Sequence, residues 1–495
     1  MSEVEKKHGQ IKCPKCGSSD IEPTKTAGEL RCNFCRNVFK AKAEKKSNIS
    51  DLKERKVSAG AADIAKDAKD IITLKCESCG AEVAINTKDS AQARCHWCRN
   101  YLSLNHPVPN GAVPDIILPF SVKKEEAQVK IEEFVGKRKF FAHPTFRQEF
   151  TTENIMGVYL PYLLVDVNAH AYFSGIGEHE TRKYYVGSGD NRETRYDADA
   201  YKVMRDFDIE IEDLAVSSSA DKANVTAKDK TTNIIDSVLP FDTENCVKWD
   251  ANLLRGYSSE KRDLNVDHVA ELAKAESLDV SRYAAKETLS FYDRGVSWNA
   301  QDCAVRGSKW DAAYLPVWLY SYMQTKSNGE KLLHYVAVNG RTKETMGSVP
   351  IHKPKLFIVS AIIEIIAAII TVLLYVTTYT PRQSPYYTNH EDDEPGYWFI
   401  LLAAGFVFYA VMYSRYRNAN ARHRHETETK KKVKNMKKTD TFFEKRHGLR
   451  SSSIDGRNER MVDASGNAKV PTGLNKVAER IADKMNEDDK KEEKE

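Results

Sequence analysis

Phosphate-cradling glycine loops are missing from this chain: it contains no GxxxxGK[ST] and no GxGxxG, and GxSxG and HExxH are absent as well. Those spacings hold phosphates on backbone N–H groups, expose a nucleophile at a sharp turn, or set two histidines on one helix face. Their absence argues against a nucleotide-driven motor or helicase. Long apolar runs are scarce and the mean hydropathy is -0.56, which excludes a polytopic transporter. Strong net charge is lacking too, at +4 over 495 residues. That small sum hides an uneven spread. Residues 1–110 carry 20 basic and 14 acidic side chains, residues 414–495 carry 22 and 15, and the middle is left with -9. Two basic flanks around an acidic middle give acidic partners a place at the flanks only.

Ten cysteines are present, and eight fall in four CxxC pairs: Cys13/Cys16, Cys32/Cys35, Cys76/Cys79 and Cys95/Cys98. Within each half, 15 residues separate the pairs, which fits a C-x2-C-x15-20-C-x2-C zinc site. Each CxxC turn presents two thiolates. Two such turns close a tetrahedron around one zinc with no position left for a substrate water, so two zinc ions per chain are expected in structural sites. The halves are repeats offset by 63 residues: Gly17 matches Gly80, Arg31 matches Arg94, Arg36 and Asn37 match Arg99 and Asn100, and Phe34 matches Trp97. A disulfide framework needs an oxidising compartment, and no signal-peptide pattern precedes the first pair. A thioredoxin-like role lacks its βαβ context. Lys15, Arg31, Phe34, Arg36, Arg94, Trp97 and Arg99 are the candidate interaction residues. They suit either a protein surface or, by phosphate contact and base stacking, a nucleic acid.

The expected fold is multidomain: zinc ribbon 1 (1–40), a charged linker (41–72), zinc ribbon 2 (73–104) and an α+β middle domain (105–350) come first. A membrane hairpin and a charged tail follow. The linker is read as leaving the ribbons independently mobile. The middle carries a second repeat, Leu118-Pro119-Phe120 with Leu239-Pro240-Phe241 and Tyr159-Leu160-Pro161 with Tyr314-Leu315-Pro316. It predicts two helix-on-antiparallel-sheet units, with helices at 122–137 and 246–256 and strands at 158–173 and 313–323. A strand over 332–338 is predicted to turn at Asn339-Gly340 into a last strand towards Val349. One or two amphipathic helices are expected at 265–290. Asp166, Asn168 and His170 share one strand face, and Glu178, His179 and Glu180 follow, a cluster that admits an acid/base or metal site. Cys246 and Cys303 read as buried thiols.

Residues 356–379 form 24 positions with one charge, enough to span a bilayer core of about 30 Å. Residues 397–413 form a second, shorter span with aromatics at both edges. The loop 380–396 has one basic and four acidic residues, and basic residues flank the outer ends. The positive-inside rule therefore predicts both termini in the cytoplasm, at the plasma membrane. Glu364 sits inside the first span, where a carboxyl must be neutral, paired or turned toward another helix, such as the region of Gly405. The tail 414–495 reads as largely disordered, with a short helix near 473–486. Its basic part, 414–450, suits either solvent or anionic lipid.

The segments CPKCGS (13–18), CNFC (32–35), LPF (118–120), YLPYLLVDV (159–167), YFSG (172–175), YLPVWLYSY (314–322), YVAVNGRT (335–342) and GSVPI (347–351), followed by the apolar hairpin, resemble one bacterial family. Its members are transcription-factor-IIB-type zinc-ribbon membrane proteins, sometimes labelled primosomal or replication-restart helicase-like. The resemblance implies a cytoplasmic platform on a membrane hairpin, with some relatives acting beside phage-shock-type envelope-stress proteins. The expected function is non-enzymatic: recruiting cytoplasmic protein partners to the membrane. A membrane-tethered nucleic-acid-binding protein and a membrane-linked enzyme centred on 166–180 are the alternatives, and the sequence leaves the oligomeric state open.

Overall fold

From Val167 to Gly177 every odd-numbered residue is buried and every even-numbered one is half exposed, the alternation that a pleated strand imposes. The computed structural model of the chain describes residues 13–18, 21–24, 29–40, 48–62, 71–76, 79, 81–86, 93–102, 107–108, 114–187, 193–218, 238–249, 251–254, 256–262, 264–325, 331–379, 397–417 and 425–450. In it the alternating segment belongs to a central strand of 31 residues, Met156–Val186. This strand pairs antiparallel with an acidic strand, Glu193–Ser217, on one side and with a third long strand, Val296–Thr325, on the other. Lys331–Asn339 and Thr345–Gly347 extend the sheet beyond the third strand. The body is therefore α+β and sheet-rich, as expected.

The duplicated YLP elements meet each other. Tyr314 lies opposite Pro161, Leu315 opposite Leu160 and Pro316 opposite Tyr159, and the rings of Tyr159 and Tyr314 stack 6.3 Å apart. Leu160 and Leu315 point into one core cluster and the two tyrosines into another. The repeat is thus a local two-fold pairing at the middle of the sheet.

The helix units depart from that symmetry. The first helix forms at Lys124–Gly136 and buries Ala127, Ile131, Phe134 and Val135. The second, expected at 246–256, is instead a two-residue bridge at Val247–Lys248 and a 3-10 turn at Ala251–Leu254. Between Phe241 and the Ser258–Glu260 strand the chain forms two short 3-10 turns, Thr243–Asn245 and Ala251–Leu254, around that bridge, and neither is long enough to cover a sheet face. The covering helix comes from Val266–Lys286, where Asn265 caps the first turn and accepts from the Asp267 N–H at 3.2 Å. Its Val266, Val269, Ala273, Val280 and Ala284 recur at helical spacing and pack on Val167, Ala169, Phe173, Phe207 and Ile209.

The expected free linker is also corrected where it is described. Arg55–Val57 runs parallel to Ser308–Trp310, and Leu52 is buried. Gly307 lies so close to Leu52 that a Cβ would stand 2.5 Å from the Leu52 carbonyl carbon. Asp115 takes the Ser58 hydroxyl at 2.5 Å and the Gly60 N–H at 2.8 Å, and the buried Arg262 donates to the carbonyls of Gly60 and Ala61. Lysine and alanine content concealed these few anchoring contacts. Residues 41–47 and 63–70 lie outside the described residues.

The tail is corrected between 430 and 450. Lys430–Arg450 forms a 21-residue strand along the free edge of the acidic strand. Lys430, Lys432, Lys434 and Lys437 face Glu212, Glu210, Asp208 and Asp206 in register. Reading the lysines as solvated missed that four acidic residues at the same period of two were waiting for them. Burial raises Glu210 but is outweighed by Lys434, whose Nζ lies 2.5 Å from it, and its carboxyl falls below the usual range. The His170 hydrogen bond lowers Asp208, and the Gly448 N–H lowers Asp197. A carboxylate depressed on folding stabilises above its unfolded pKa, and that contribution disappears as the pH falls through the folded value. The tail strand is thus expected to stay docked at neutral pH and to come free below pH 3.8, the ordinary aspartate value. Hydrogen exchange over 430–450 checks this, and protection that persisted in stronger acid would contradict it. The expected helix near 473–486 lies outside the described residues.

Lys353–Tyr379 is a 27-residue helix, the one helix among the described residues long and apolar enough to cross a membrane. Ile358, Ile362, Ile365, Ile369 and Leu373 stand exposed along one face of it. Beside it run a 3-10 segment, Tyr397–Ala403, and a shorter apolar helix, Ala404–Arg417. Both helices are tied to the body at one place. Phe141 receives the His352 N–H on its carbonyl at 2.8 Å and donates its own N–H to the Tyr416 hydroxyl at 2.9 Å, while Arg138 donates to the Arg415 carbonyl at 3.1 Å. The loop 380–396 lies outside the described residues.

Candidate metal centres

Among the described residues, the CxxC turns that begin at Cys13, Cys32 and Cys95 are built by the backbone. The residue after the second cysteine takes a left-handed conformation at Gly17 (φ 70°), Arg36 (φ 61°) and Arg99 (φ 65°). This turns the Arg36 N–H onto the Cys32 carbonyl at 2.9 Å and the Arg99 N–H onto the Cys95 carbonyl at 2.8 Å. Cys32 and Cys95 in turn donate to the carbonyls of Asn37 and Asn100. The repeated Arg-Asn pair that follows each second turn therefore has a backbone role.

These turns gather Cys13, Cys16, Cys32 and Cys35 into one cluster and Cys76, Cys79, Cys95 and Cys98 into another, with all sulfurs of a cluster within 4.8 Å of one another. The Sγ–Sγ separations are 3.5 Å for Cys13–Cys35 and Cys16–Cys32, 3.4 Å for Cys76–Cys98 and 3.6 Å for Cys79–Cys95. A disulfide needs about 2.05 Å. Four thiolates each about 2.3 Å from one zinc stand about 3.8 Å apart, close to what is observed. All ten cysteines are free thiols. Both clusters are positioned to bind a metal ion and are consistent with zinc.

Unequal protonation accompanies this crowding. Burial raises Cys13, but the N–H groups of Cys16 and Lys15 prevail and bring it down to about 6. The Cys95 side chain lowers Cys79 to about 5, and Cys95 itself is pushed far up by that same contact and then by burial. A divalent cation bound at either cluster would replace these shared protons.

The two centres differ in what surrounds them. Ribbon 2 is woven into the main sheet: Ile71–Lys75 pairs with Glu82–Asn86, which pairs with Ser258–Glu260 against the central strand. Trp97 is only 5% exposed and its Nε1 donates to Glu260 at 2.9 Å. Arg99 lies over the Tyr320 ring at 5.3 Å, and Arg94 lies over Tyr101 at 4.3 Å. Trp97 and Arg99 thus serve internal contacts, while Arg94 and Tyr101 form an exposed pair at the surface of ribbon 2. Ribbon 1 has its own three-stranded sheet, Ile21–Pro23, Glu29–Cys32 and Val38–Lys40. It rests on the body through Ile21 and Leu30. Its Phe34 is 81% exposed, and Lys15, Arg31 and Arg36 are exposed with it. The independent mobility expected of the ribbons is therefore corrected by these packed contacts.

The polar cluster of the central strand is brought together in part. Asp166 accepts from the Asp213 N–H at a left-handed residue, and Asn168 donates to the Ser50 and Leu52 carbonyls. His170 Nδ1 lies 2.9 Å from Asp208, which also meets Arg306 at 2.8 Å and Asn435 at 3.1 Å. The buried Glu178 accepts from the Tyr196 hydroxyl at 3.0 Å and pairs with Arg446 at 2.8 Å. His179 stacks on Phe291, and Glu180 pairs with Arg294. Each of these side chains has a partner that joins two elements. Cys246 and Cys303 are buried, as expected.

Glu364 accepts from the Gly405 N–H at 2.8 Å, at the junction of the 3-10 segment and the helix that follows. A Cβ at Gly405 would stand 2.4 Å from the Ser360 carbonyl oxygen, so only glycine permits this approach. Sequence reasoning missed the buried Arg205, which forks onto both oxygens of Asp440 at 2.5 and 3.1 Å and fastens the tail strand. A lone arginine in an alternating strand gave no signal of it.

Over 346 residues the chain is 28% identical to the uncharacterised protein YdjG of Bacillus subtilis (strain 168), a match covering 70% of this chain and 91% of that protein. No protein-family model matches the chain, and no solved structure matches it.

Proposed function

We propose that the chain is a non-enzymatic, membrane-anchored zinc-ribbon protein that recruits cytoplasmic protein partners to the inner face of the plasma membrane. One observation carries the anchor. The two apolar helices leave the body from a single base at Arg138–Phe141 and carry exposed isoleucine, leucine and valine along their length. In water that surface would be costly, at about 25 cal/mol per Å² of apolar area. The second span, short as an α-helix, gains length from its 3-10 part: seven residues at about 2.0 Å and fourteen at about 1.5 Å give roughly 35 Å. Glu364, paired with Gly405, supports a two-helix transmembrane hairpin, the architecture of the zinc-ribbon membrane proteins that the sequence resembles. Basic residues at the outer ends support both termini in the cytoplasm.

Ribbon 2 acts in this reading as a fixed structural unit, and ribbon 1 is the presenting one. Lys430, Lys431 and Lys434 pair with Glu244, Glu287 and Glu210, which favours internal docking of the tail over adsorption to lipid. The internal contacts of Trp97 and Arg99 weigh against a nucleic-acid interface spanning both ribbons. Membrane fractionation tests the anchor. The full chain should stay in the pellet through salt and carbonate washes and leave only with detergent. Recovery in the carbonate supernatant would overturn the reading.

A further inference from the structure

The two ribbons place an aromatic residue at the same position relative to the metal, with the same backbone. The Sγ spacings agree within 0.1 Å, the left-handed residue falls at Arg36 and Arg99, and the same pair of backbone hydrogen bonds follows each. Ribbon 2 shows what such a knuckle grips. Trp97 sits in a notch of this same chain, with Glu260 as acceptor and Tyr335 edge-on at 6.5 Å, while Arg99 lies over Tyr320. Ribbon 1 has the corresponding Phe34 and Arg36 turned to solvent. From this we infer that the Phe34 knuckle docks in the same manner onto a partner protein, in a notch that offers tyrosine-type rings beside a carboxylate.

The inference rests on the recruiting role proposed above and gives it a surface and a partner chemistry. Phenylalanine has no N–H to donate, so the partner's carboxylate falls to Arg36, and the ring of Phe34 supplies the buried anchor. The positive charge of Lys15, Arg31 and Arg36 selects an acidic rim. A nucleic acid would use the same arginines on phosphate, but with no demand for carboxylate next to tyrosine.

Fluorescence titration of the zinc-loaded full chain in detergent tests this with three defined probes: a random glutamate–tyrosine copolymer, polyglutamate of equal length, and single-stranded oligodeoxythymidine. The copolymer is expected to bind about tenfold more tightly than polyglutamate. Phe34→Ala should erase that preference, Phe34→Tyr should keep it, and Arg36→Gln should weaken both acidic polymers. Equal affinity for the two polymers would overturn the proposal. So would a preference that survives Phe34→Ala, or tightest binding to the oligonucleotide with loss on Phe34→Ala. Zinc content, measured on each variant, reports whether the knuckle remains intact. The carbonate wash of the wild-type chain reads the anchor separately, so failure of the docking mode leaves that result standing.

Discussion

Cys95→Ser is expected to remove one of two zinc ions and to destabilise the whole body, whereas Cys32→Ser should remove one ion at much smaller cost. The chemistry lost is the same in both variants: one thiolate of four. The surroundings differ. Cys95 is fully buried in a core cluster with Leu74, Val83, Trp97, Val158, Leu160 and Leu315, and its ribbon supplies two strands to the main sheet. If the metal leaves, Trp97 loses the turn that aims it at Glu260, a loss comparable to truncating a large core aromatic, about 3–5 kcal/mol. Cys32 belongs to a separate three-stranded sheet whose contribution to the body core is Ile21 and Leu30. Thermal unfolding monitored alongside zinc content distinguishes the two. Equal shifts in melting temperature would mean that ribbon 2 is not integral to the body.

The second large effect concerns Asp440. Its replacement by alanine leaves Arg205, 1% exposed, with a charge whose bidentate partner is gone. Removing one member of a buried pair costs about 3–5 kcal/mol. The lower end is expected here, because Asp440 is itself 36% exposed and Thr288 still accepts from Arg205 at 2.8 Å. Most of that cost should appear as release of the tail strand, seen as protease cleavage within 430–450 while the 156–325 core stays resistant. Arg205→Met with Asp440→Leu should recover much of the docking, since an apolar pair removes the unpaired charge. Unchanged protease resistance in Asp440→Ala would show that backbone pairing and the lysine ladder hold the strand without the fork.

What the sequence made legible follows from how local the signal was. Four CxxC pairs at fixed spacing and an apolar run of 24 residues announce themselves within a short window, as does the 3.6-residue period of 266–286. The YLP repeat was visible as well, but that its copies pair with each other follows only from the antiparallel register of two strands about 150 residues apart in sequence. The tail strand was hidden for a related reason. Lys430, Lys432 and Lys434 alternate, and so do Asp206, Asp208, Glu210 and Glu212, yet each segment alone reads as a solvated charged stretch. Only the pairing of the two shows a strand. Trp97 and Phe34, equivalent in sequence, differ because Glu260 and Tyr335 meet one and not the other, a long-range fact that no local pattern carries.

Native mass spectrometry of the chain extracted by detergent from the washed membrane pellet tests the central claim in one measurement. The account predicts an intact mass increased by two zinc ions, with the eight ribbon cysteines deprotonated as ligands. A metal-free mass, or one lowered by paired hydrogen loss through disulfide formation, would contradict it.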